Sequence, residues 1–287
     1  MKTIPGVPPV RTLRVASGRN VGYYEYGDPD GAPIFALHGV PSCGAGFDWA
    51  DDAARERGLR LVAPDRPGVG LSDPRSRRPV VDYAGELAAI ADAFGFDRFG
   101  VLGYSGGGPF AAAAAYGLAD RLTAVGIAAG AGQVGVWAKA SDFETTDARF
   151  LGMSLRHPLL ARSIMRFVSA TAKASPRQAI ASFAKELSPS DREVLASLGD
   201  PRTAMAMFTQ AFLRGARGVI DDYAALAQPW GFAVEDILLP VHVWQGDADT
   251  MVPIVQAHAL VERLSDATLT VFPGEGHLAV ITHIGEI

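Results

Sequence analysis

Ser105 stands in Gly103-Tyr104-Ser105-Gly106-Gly107, between an apolar run, Phe99 to Leu102, and an alanine-rich segment, Pro109 to Tyr116. The run reads as a short buried strand and the alanine-rich segment as a helix. Strand, G-x-S-x-G and helix in that order force a serine onto a sharp turn that lifts its hydroxyl out of the sheet. The glycines on either side leave room because they carry no Cβ. Backbone N–H groups at the helix start favour negative charge in front of the serine. A serine hydroxyl is a weak nucleophile at neutral pH. Attack by it needs a base, a group to orient the base, and donors for an oxyanion.

Two later stretches offer an acid and a base. Gly246-Asp247-Ala248-Asp249-Thr250-Met251-Val252-Pro253 follows the apolar run Val241 to Gln245. Pro273-Gly274-Glu275-Gly276-His277 follows Thr268 to Phe272. Asp247 and Asp249 compete as the acid, and His277 has rivals in His38, His157, His242, His258 and His283. By position, His242 reads as a strand residue of the core or just behind the site, His258 as part of a helix face and His283 as part of a terminal helix. His157, beside Pro158, reads as a helix-terminus residue. Taken alone, G-x-S-x-G also describes an ordinary glycine-rich turn; the ordered acid and base behind it argue for catalysis.

Other chemistries fit less well. Gly106-x-Gly108-x-x-Ala111 matches a dinucleotide fingerprint, but the next strand ends in Ala128-Ala129-Gly130-Ala131-Gly132, without the acidic residue that fingerprint needs. No Gly-Lys-Ser/Thr occurs, which removes a P-loop. The histidines and carboxylates show no metal-ligand spacing, so neither metal nor cofactor is expected. Cys43, the single cysteine, excludes an internal disulfide, reads as a small packing residue, and fits a reducing compartment. The net charge of −5 gives no electrostatic case for nucleic acid or an anionic membrane. Prolines stand in Met1 to Val10 where a signal peptide would be apolar, and no apolar run approaches the length of a membrane span. A cytoplasmic protein acting on a small molecule is expected; oligomeric state is open.

These residues need a scaffold, and 287 residues suit one large domain or a domain with an insertion. Thr12 to Ala16 and Asn20 to Tyr26 read as a hairpin about Ser17-Gly18-Arg19. Further strands are expected at Pro33 to Leu37, Leu59 to Ala63, Phe99 to Leu102 and Leu122 to Ala128, with helices near Phe47 to Arg57 and Asp82 to Phe94. From about Gly132 to Leu239 the signals turn helical. Ser175-Pro176 and Asp200-Pro201 read as helix starts, and Ser190-x-x-Glu193 as a capping box. Alternation then resumes, with strands at Val241 to Gln245 and Thr268 to Phe272 around a helix near Ile254 to Leu264. The expected fold is α/β: a mostly parallel eight-stranded sheet flanked by helices, with an all-helical cap inserted after strand six. Residues 1–131 and 240–287 would form the core domain and residues 132–239 the cap. Ligands of such sheets bind outside the carboxyl ends of the strands, where Ser105, Asp249 and His277 all fall.

With its motifs in this order, the sequence resembles the α/β-hydrolase fold superfamily, in the form with a helical cap. The matching stretches are His38-Gly39-Val40-Pro41, Asp65-Arg66-Pro67-Gly68-x-Gly70-x-Ser72-Asp73, Gly103-x-Ser105-x-Gly107, Gly246-x-x-Asp249-x-x-Val252-Pro253 and Gly276-His277. The resemblance implies Ser105 as nucleophile, His277 as the base that takes its proton, and Asp249 as the acid that orients the imidazole. It implies the backbone N–H groups of Val40 and Gly106 as the oxyanion hole. Asp247 is then left to cap its loop, His38 to shape the oxyanion loop, and Asp65 to bond nearby backbone N–H groups. The segment after His277 leaves room for only a short terminal helix, less bracing for the histidine loop than the family usually has.

Trp137, Phe143, Phe150, Met153, Met165, Phe208, Phe212, Trp230 and Phe232 make the cap region apolar. Most of these should pack the cap onto the core and some should line a pocket. Arg149, Arg156, Arg162 and Arg166 read as a solvated helix face. The expected activity is serine hydrolysis of a carboxylic ester of a small, largely apolar molecule through an acyl-enzyme. C–C bond or lactone hydrolysis, a cofactor-free haloperoxidase-like reaction, and non-catalytic ligand binding are the alternatives on the same fold.

Overall fold

The computed structural model of the protein describes residues 8–75, 78–139, 142, 146–200, 202 and 205–287. Eight strands form one sheet: β1 (Arg11–Arg14), β2 (Asn20–Gly27), β3 (Ala32–Leu37), β4 (Leu59–Pro64), β5 (Phe99–Tyr104), β6 (Leu122–Ala128), β7 (Val241–Gly246) and β8 (Ala267–Phe272). Their order is β1-β2-β4-β3-β5-β6-β7-β8. β2 is antiparallel to both β1 and β4, and every other pairing is parallel, so the expected sheet is the observed one.

Central strands are apolar because both faces are covered. Phe35, Ala36 and Leu37 of β3 and Val101 of β5 are buried. β8, at the edge, alternates: Thr268 and Thr270 face solvent while Phe272 is buried. On the faces lie α1 (Asp51–Glu56), α2 (Tyr83–Phe94), α3 (Gly108–Gly117) and α10 (Ile254–Val261), with a single turn, α11 (Ala279–Thr282), near the end of the chain. The helix expected over 47–57 is split, with a tighter 3-10 stretch at Gly44–Ala50 ahead of α1. α2 stops at Gly95, whose φ of 74° is open to glycine at little cost. The alanines of α3 are wholly buried, and their small side chains let this helix lie close on β5 and β6.

Between β6 and β7 the described residues form helices and one isolated bridge, Val134 to Ala138. The helices are α4 (Thr146–Arg156), α5 (Pro158–Ala174), α6 (Pro176–Phe183), α7 (Pro189–Ser197), α8 (Ala206–Ala211) and α9 (Arg217–Leu226). Prolines open α5, α6 and α7, where the missing N–H has no partner to lose. α6 starts after Ser175 as expected. The expected start at Asp200-Pro201 lies partly outside the described residues. The capping-box reading of Ser190 and Glu193 is corrected: Pro189 fits the first helical position, so α7 begins earlier and Ser188 is its cap, its Oγ accepting from Asp191 N at 3.2 Å.

The parallel register brings the carboxyl ends of the strands level. Leu37 pairs with Gly103, Tyr104 with Ala128, Ala128 with Trp244 and Gly246 with Phe272. The loops carrying Val40, Ser105, Asp249 and His277 therefore leave one edge of the sheet together, under the helical insertion.

Candidate active site

Ser105 has φ of 55°, a left-handed backbone that costs a non-glycine residue of the order of 1–3 kcal/mol and persists only where surroundings impose it. The surroundings are β5, α3 and two close backbone approaches. A Cβ on Gly107 would sit 2.0 Å from the Leu37 carbonyl oxygen, and one on Gly103 would sit 2.6 Å from the Gly107 oxygen. Only glycine allows strand and helix to meet this tightly.

Asp249 is buried in the loop after β7. Its Oδ1 accepts from the N–H groups of Met251 (2.8 Å) and Val252 (2.9 Å), and its Oδ2 from Gln245 Nε2 (2.8 Å). That same Oδ2 lies 2.8 Å from His277 Nδ1. A carboxylate so bound keeps the proton on Nδ1 and leaves Nε2 as an acceptor. Burial pushes the His277 pKa down, but the charge and hydrogen bond of Asp249, with Asp191 and Asp147 beyond, outweigh it, and the value lies above the ordinary one. The Tyr104 ring stacks obliquely on the imidazole at 5.2 Å, and its hydroxyl donates to the His277 carbonyl oxygen at 3.2 Å.

Ser105 and His277 open onto one cavity of about 600 Å³, and the Ser105 hydroxyl has no hydrogen-bond partner among the described residues. Active-site hydrogen bonds of this kind often close only when substrate is present. Val40 reaches the same cavity from the loop after β3. Its N atom lies 3.2 Å from where a Cβ on Gly106 would stand, so the two amides are neighbours.

The Gly39–Val40 peptide is oriented from behind. Buried Arg66 donates from Nη2 to the Gly39 carbonyl oxygen at 2.8 Å and from Nη1 to that of His38. In a planar trans peptide the N–H points opposite to the C=O. Arg66 thus pulls the Gly39 oxygen inward and turns the Val40 N–H the other way. Arg66 Nε is bound to Asp222 Oδ2 of α9 at 3.1 Å, and Arg78 Nη1 to Asp222 Oδ1 at 2.6 Å. These partners were not visible in the spacing of the sequence.

The remaining candidates fall into bracing roles. His38 is buried, its Nδ1 near Gly39 O at 2.8 Å and its Nε2 accepting from Arg66 N at 3.2 Å; burial and Arg66 hold its pKa well below the ordinary value. Asp247 accepts from Gly274 N at 2.6 Å, and Asp65 from Gly44 N at 2.9 Å. Burial pushes the Asp65 carboxyl up to about 7. Cys43 is fully buried, and burial raises its thiol well above the ordinary value, which leaves it inert. His157 and His258 are exposed, and His283 bonds Glu275 and Glu286 just after α11. The expectation of a core or near-site role for His242 is corrected: on β7, next to the sheet edge, its side chain faces solvent beside Thr268.

The cavity wall is apolar, with Phe150, Met165, Met205, Met207, Phe208 and Met251. Trp137 packs instead on Trp230, and Phe212 on Phe208; Phe143 lies outside the described residues. Two carboxylates also reach the wall, Asp147 and Glu186, and no lysine or arginine does among the described residues. Burial pushes Asp147 up to about 6 although the Tyr223 hydroxyl donates to it. The arginines of α4 and α5 stay out of the cavity, as a solvated face requires, and Arg162 pairs with Asp221.

Residues 32–284 match the model of the alpha/beta hydrolase fold family. The chain is 22% identical over 250 residues to the uncharacterized hydrolase YcgS of Bacillus subtilis, covering 86% of this chain and 85% of that one. It is 32% identical over 100 residues to a non-heme chloroperoxidase of Streptomyces lividans, 34% of this chain and 36% of that one. In three dimensions it is similar to an esterase of Exiguobacterium antarcticum, with a TM-score of 0.67 and 17% identity, covering 96% of this chain and 95% of that one. The family match runs from β3 to beyond His277 and takes in the serine turn, the helical insertion and the aspartate loop, so the chain belongs to the alpha/beta hydrolase fold family of enzymes.

Proposed function

We propose that the protein is a serine hydrolase that cleaves carboxylic esters of small, largely apolar molecules through an acyl-enzyme. Ser105 attacks the carbonyl carbon, His277 takes its proton and returns it to the leaving alcohol, and Asp249 holds the imidazole and stabilises it when charged. The N–H groups of Val40 and Gly106 receive the oxyanion. Water then repeats the sequence on the acyl-serine. Residues 132–239 act as a cap that covers the cavity, on a core of 1–131 and 240–287.

The observation that carries this reading is the 2.8 Å bond from Asp249 to a His277 ring that shares its cavity with the strained Ser105 turn. The wall supports the substrate class: methionines and phenylalanines suit apolar groups of varied shape, and a lining that holds two carboxylates but, among the described residues, no lysine or arginine disfavours an anionic substrate. Uncharged esters should therefore turn over faster than carboxylate-bearing ones of equal size. The haloperoxidase-like alternative draws support from the name of the Streptomyces relative, over about a third of the chain.

Turnover of short-chain chromogenic esters tests the reading. Ser105→Ala should lower kcat by on the order of a millionfold, because the three groups act as a unit. A folded Ser105→Ala protein with undiminished turnover would overturn it.

A further inference from the structure

α4 to α6 form the outer wall of the cavity, and the solvent side of α5 is unusually apolar. Leu159 is 74% exposed, Phe167 71% and Leu160 54%, with Leu155 at the end of α4 also exposed. At helical spacing Leu160, Phe167 and Ala174 share one line along α5, with Leu159, Ser163 and Ala170 beside it. One flank of that line is basic, with Arg162, Arg166 and Lys173; the other carries Val168 and Thr171, which line the cavity. The face thus borders the cavity that holds the serine. Ser175 and Gln178, at the junction of α5 and α6, line both the cavity and an adjoining open cleft.

Charge on this wall runs against the rest of the chain. The whole sequence carries −5, yet among the described residues α4 to α6 hold Arg149, Arg156, Arg162, Arg166, Lys173 and Arg177 against a single carboxylate, Asp147, which turns into the cavity. Large exposed apolar side chains flanked on one side by cations fit a surface that is apolar below and anionic at its boundary. A second copy of the chain fits poorly, since a two-fold axis through this face would set cations against cations. No helix among the described residues is long and apolar enough to cross a membrane.

We propose that the α5 face bearing Leu159, Leu160 and Phe167, flanked by Arg166 and Lys173, docks the protein on an anionic lipid surface, from which apolar esters enter the cavity past Val168. The docking rests on the surface alone; the delivery of an ester rests on the serine-hydrolase reading. Lipid phosphates meet the basic flank at headgroup level while the leucines and the phenylalanine enter the acyl boundary.

Flotation of the full-length protein with vesicles tests it. The wild type should float with phosphatidylglycerol vesicles, float much less with phosphatidylcholine vesicles, and be released by salt as the Debye length shrinks. Arg166→Gln with Lys173→Gln should weaken binding by about thirtyfold, the effect of two basic residues near such a surface. Leu159→Ser with Phe167→Ser should abolish flotation yet leave the melting temperature and the turnover of a water-soluble ester unchanged. Ser105→Ala should float like the wild type. Failure of the wild type to float, equal binding to both vesicles, or a dimer broken by Phe167→Ser without vesicle binding would each overturn the docking. Flotation without any ester turnover would sustain the docking and overturn the hydrolase reading instead.

Discussion

Asp191, on a helix of the insertion, holds His277 by its backbone. Its Oδ2 accepts from His277 N at 2.9 Å and its Oδ1 from Leu278 N at 2.6 Å, in a buried setting. α7 can approach so closely because the residue before the histidine is glycine: a Cβ on Gly276 would lie 2.1 Å from Asp191 Oδ2. α11 is a single turn, and α7 braces the same loop through Asp191.

Asp191→Asn should lower kcat and move the acid limb of the pH–rate profile to lower pH, because the Asp191 charge helps raise the His277 pKa. Asp191→Ala should also destabilise the fold by about 2 kcal/mol or more, since two buried N–H groups lose their acceptor. A melting temperature that falls with no movement of the kinetic pKa would mark Asp191 as structural only.

Activity should be lost in acid through a limb lying above about pH 6.5, the ordinary histidine value, because the proposed base His277 must be neutral to act and its pKa is raised. Asp249→Asn removes the largest raising influence and should shift the limb toward acid while lowering kcat by about four orders of magnitude. Stability runs the other way. A group whose folded pKa exceeds its unfolded one adds stability that is complete below the unfolded value and lost as pH rises through the folded one. The melting-temperature difference between wild type and His277→Gln should therefore shrink as pH rises above the ordinary histidine value of about 6.5 and through the raised folded one.

Arg66→Met should cost about 2 kcal/mol or more in urea unfolding, since it removes one of the two cations on buried Asp222 and leaves the His38 carbonyl without its donor, while the Gly39 carbonyl keeps only the His38 imidazole. In whatever fraction folds, kcat should fall with little change in KM, because in the proposed mechanism the Val40 N–H is used only when the oxyanion forms. Arg66→Lys should not restore it: one ammonium cannot span Asp222 and both carbonyls while lying over the Phe110 ring at 4.5 Å as the guanidinium does.

Two glycines should respond in opposite directions. Gly107→Ala places a methyl group 2.0 Å from the Leu37 carbonyl oxygen, a backbone contact that cannot yield, and should give an unfolded or inactive chain. Gly85, in the first turn of α2, has open space where a Cβ would go. Gly85→Ala should raise stability by about 0.4–1 kcal/mol, measurable as a higher melting temperature.

The sheet and the serine turn were legible in the sequence because their constraints are local. An apolar run, two glycines at fixed offsets and a following helix can satisfy G-x-S-x-G in few ways, and Ser105 has the backbone expected of it. Asp249 was separated from Asp247 only by the resemblance to the family motif; in the structure Asp249 bonds amides of its own loop and Asp247 the amide of Gly274 in the next. What could not be read was long-range. Asp191 lies 86 residues from His277 and Asp222 156 from Arg66, and no local pattern links either pair. Asp147 was not singled out in the sequence; it lies in the first turn of α4, and its aim into the cavity depends on how α4 is rolled against α9. His242 was misplaced because a strand position says which residues share a face but not that the outer face of an edge pair is bare.

The grip of Asp191 on the histidine loop bears on how such an enzyme could diversify. Replacing the insertion with one from a relative would change pocket and machinery at a stroke, since the graft would need an acceptor in register with the amides of residues 277 and 278. Variation in substrate should therefore collect in α5 and α6, while α7 is inherited with the sheet.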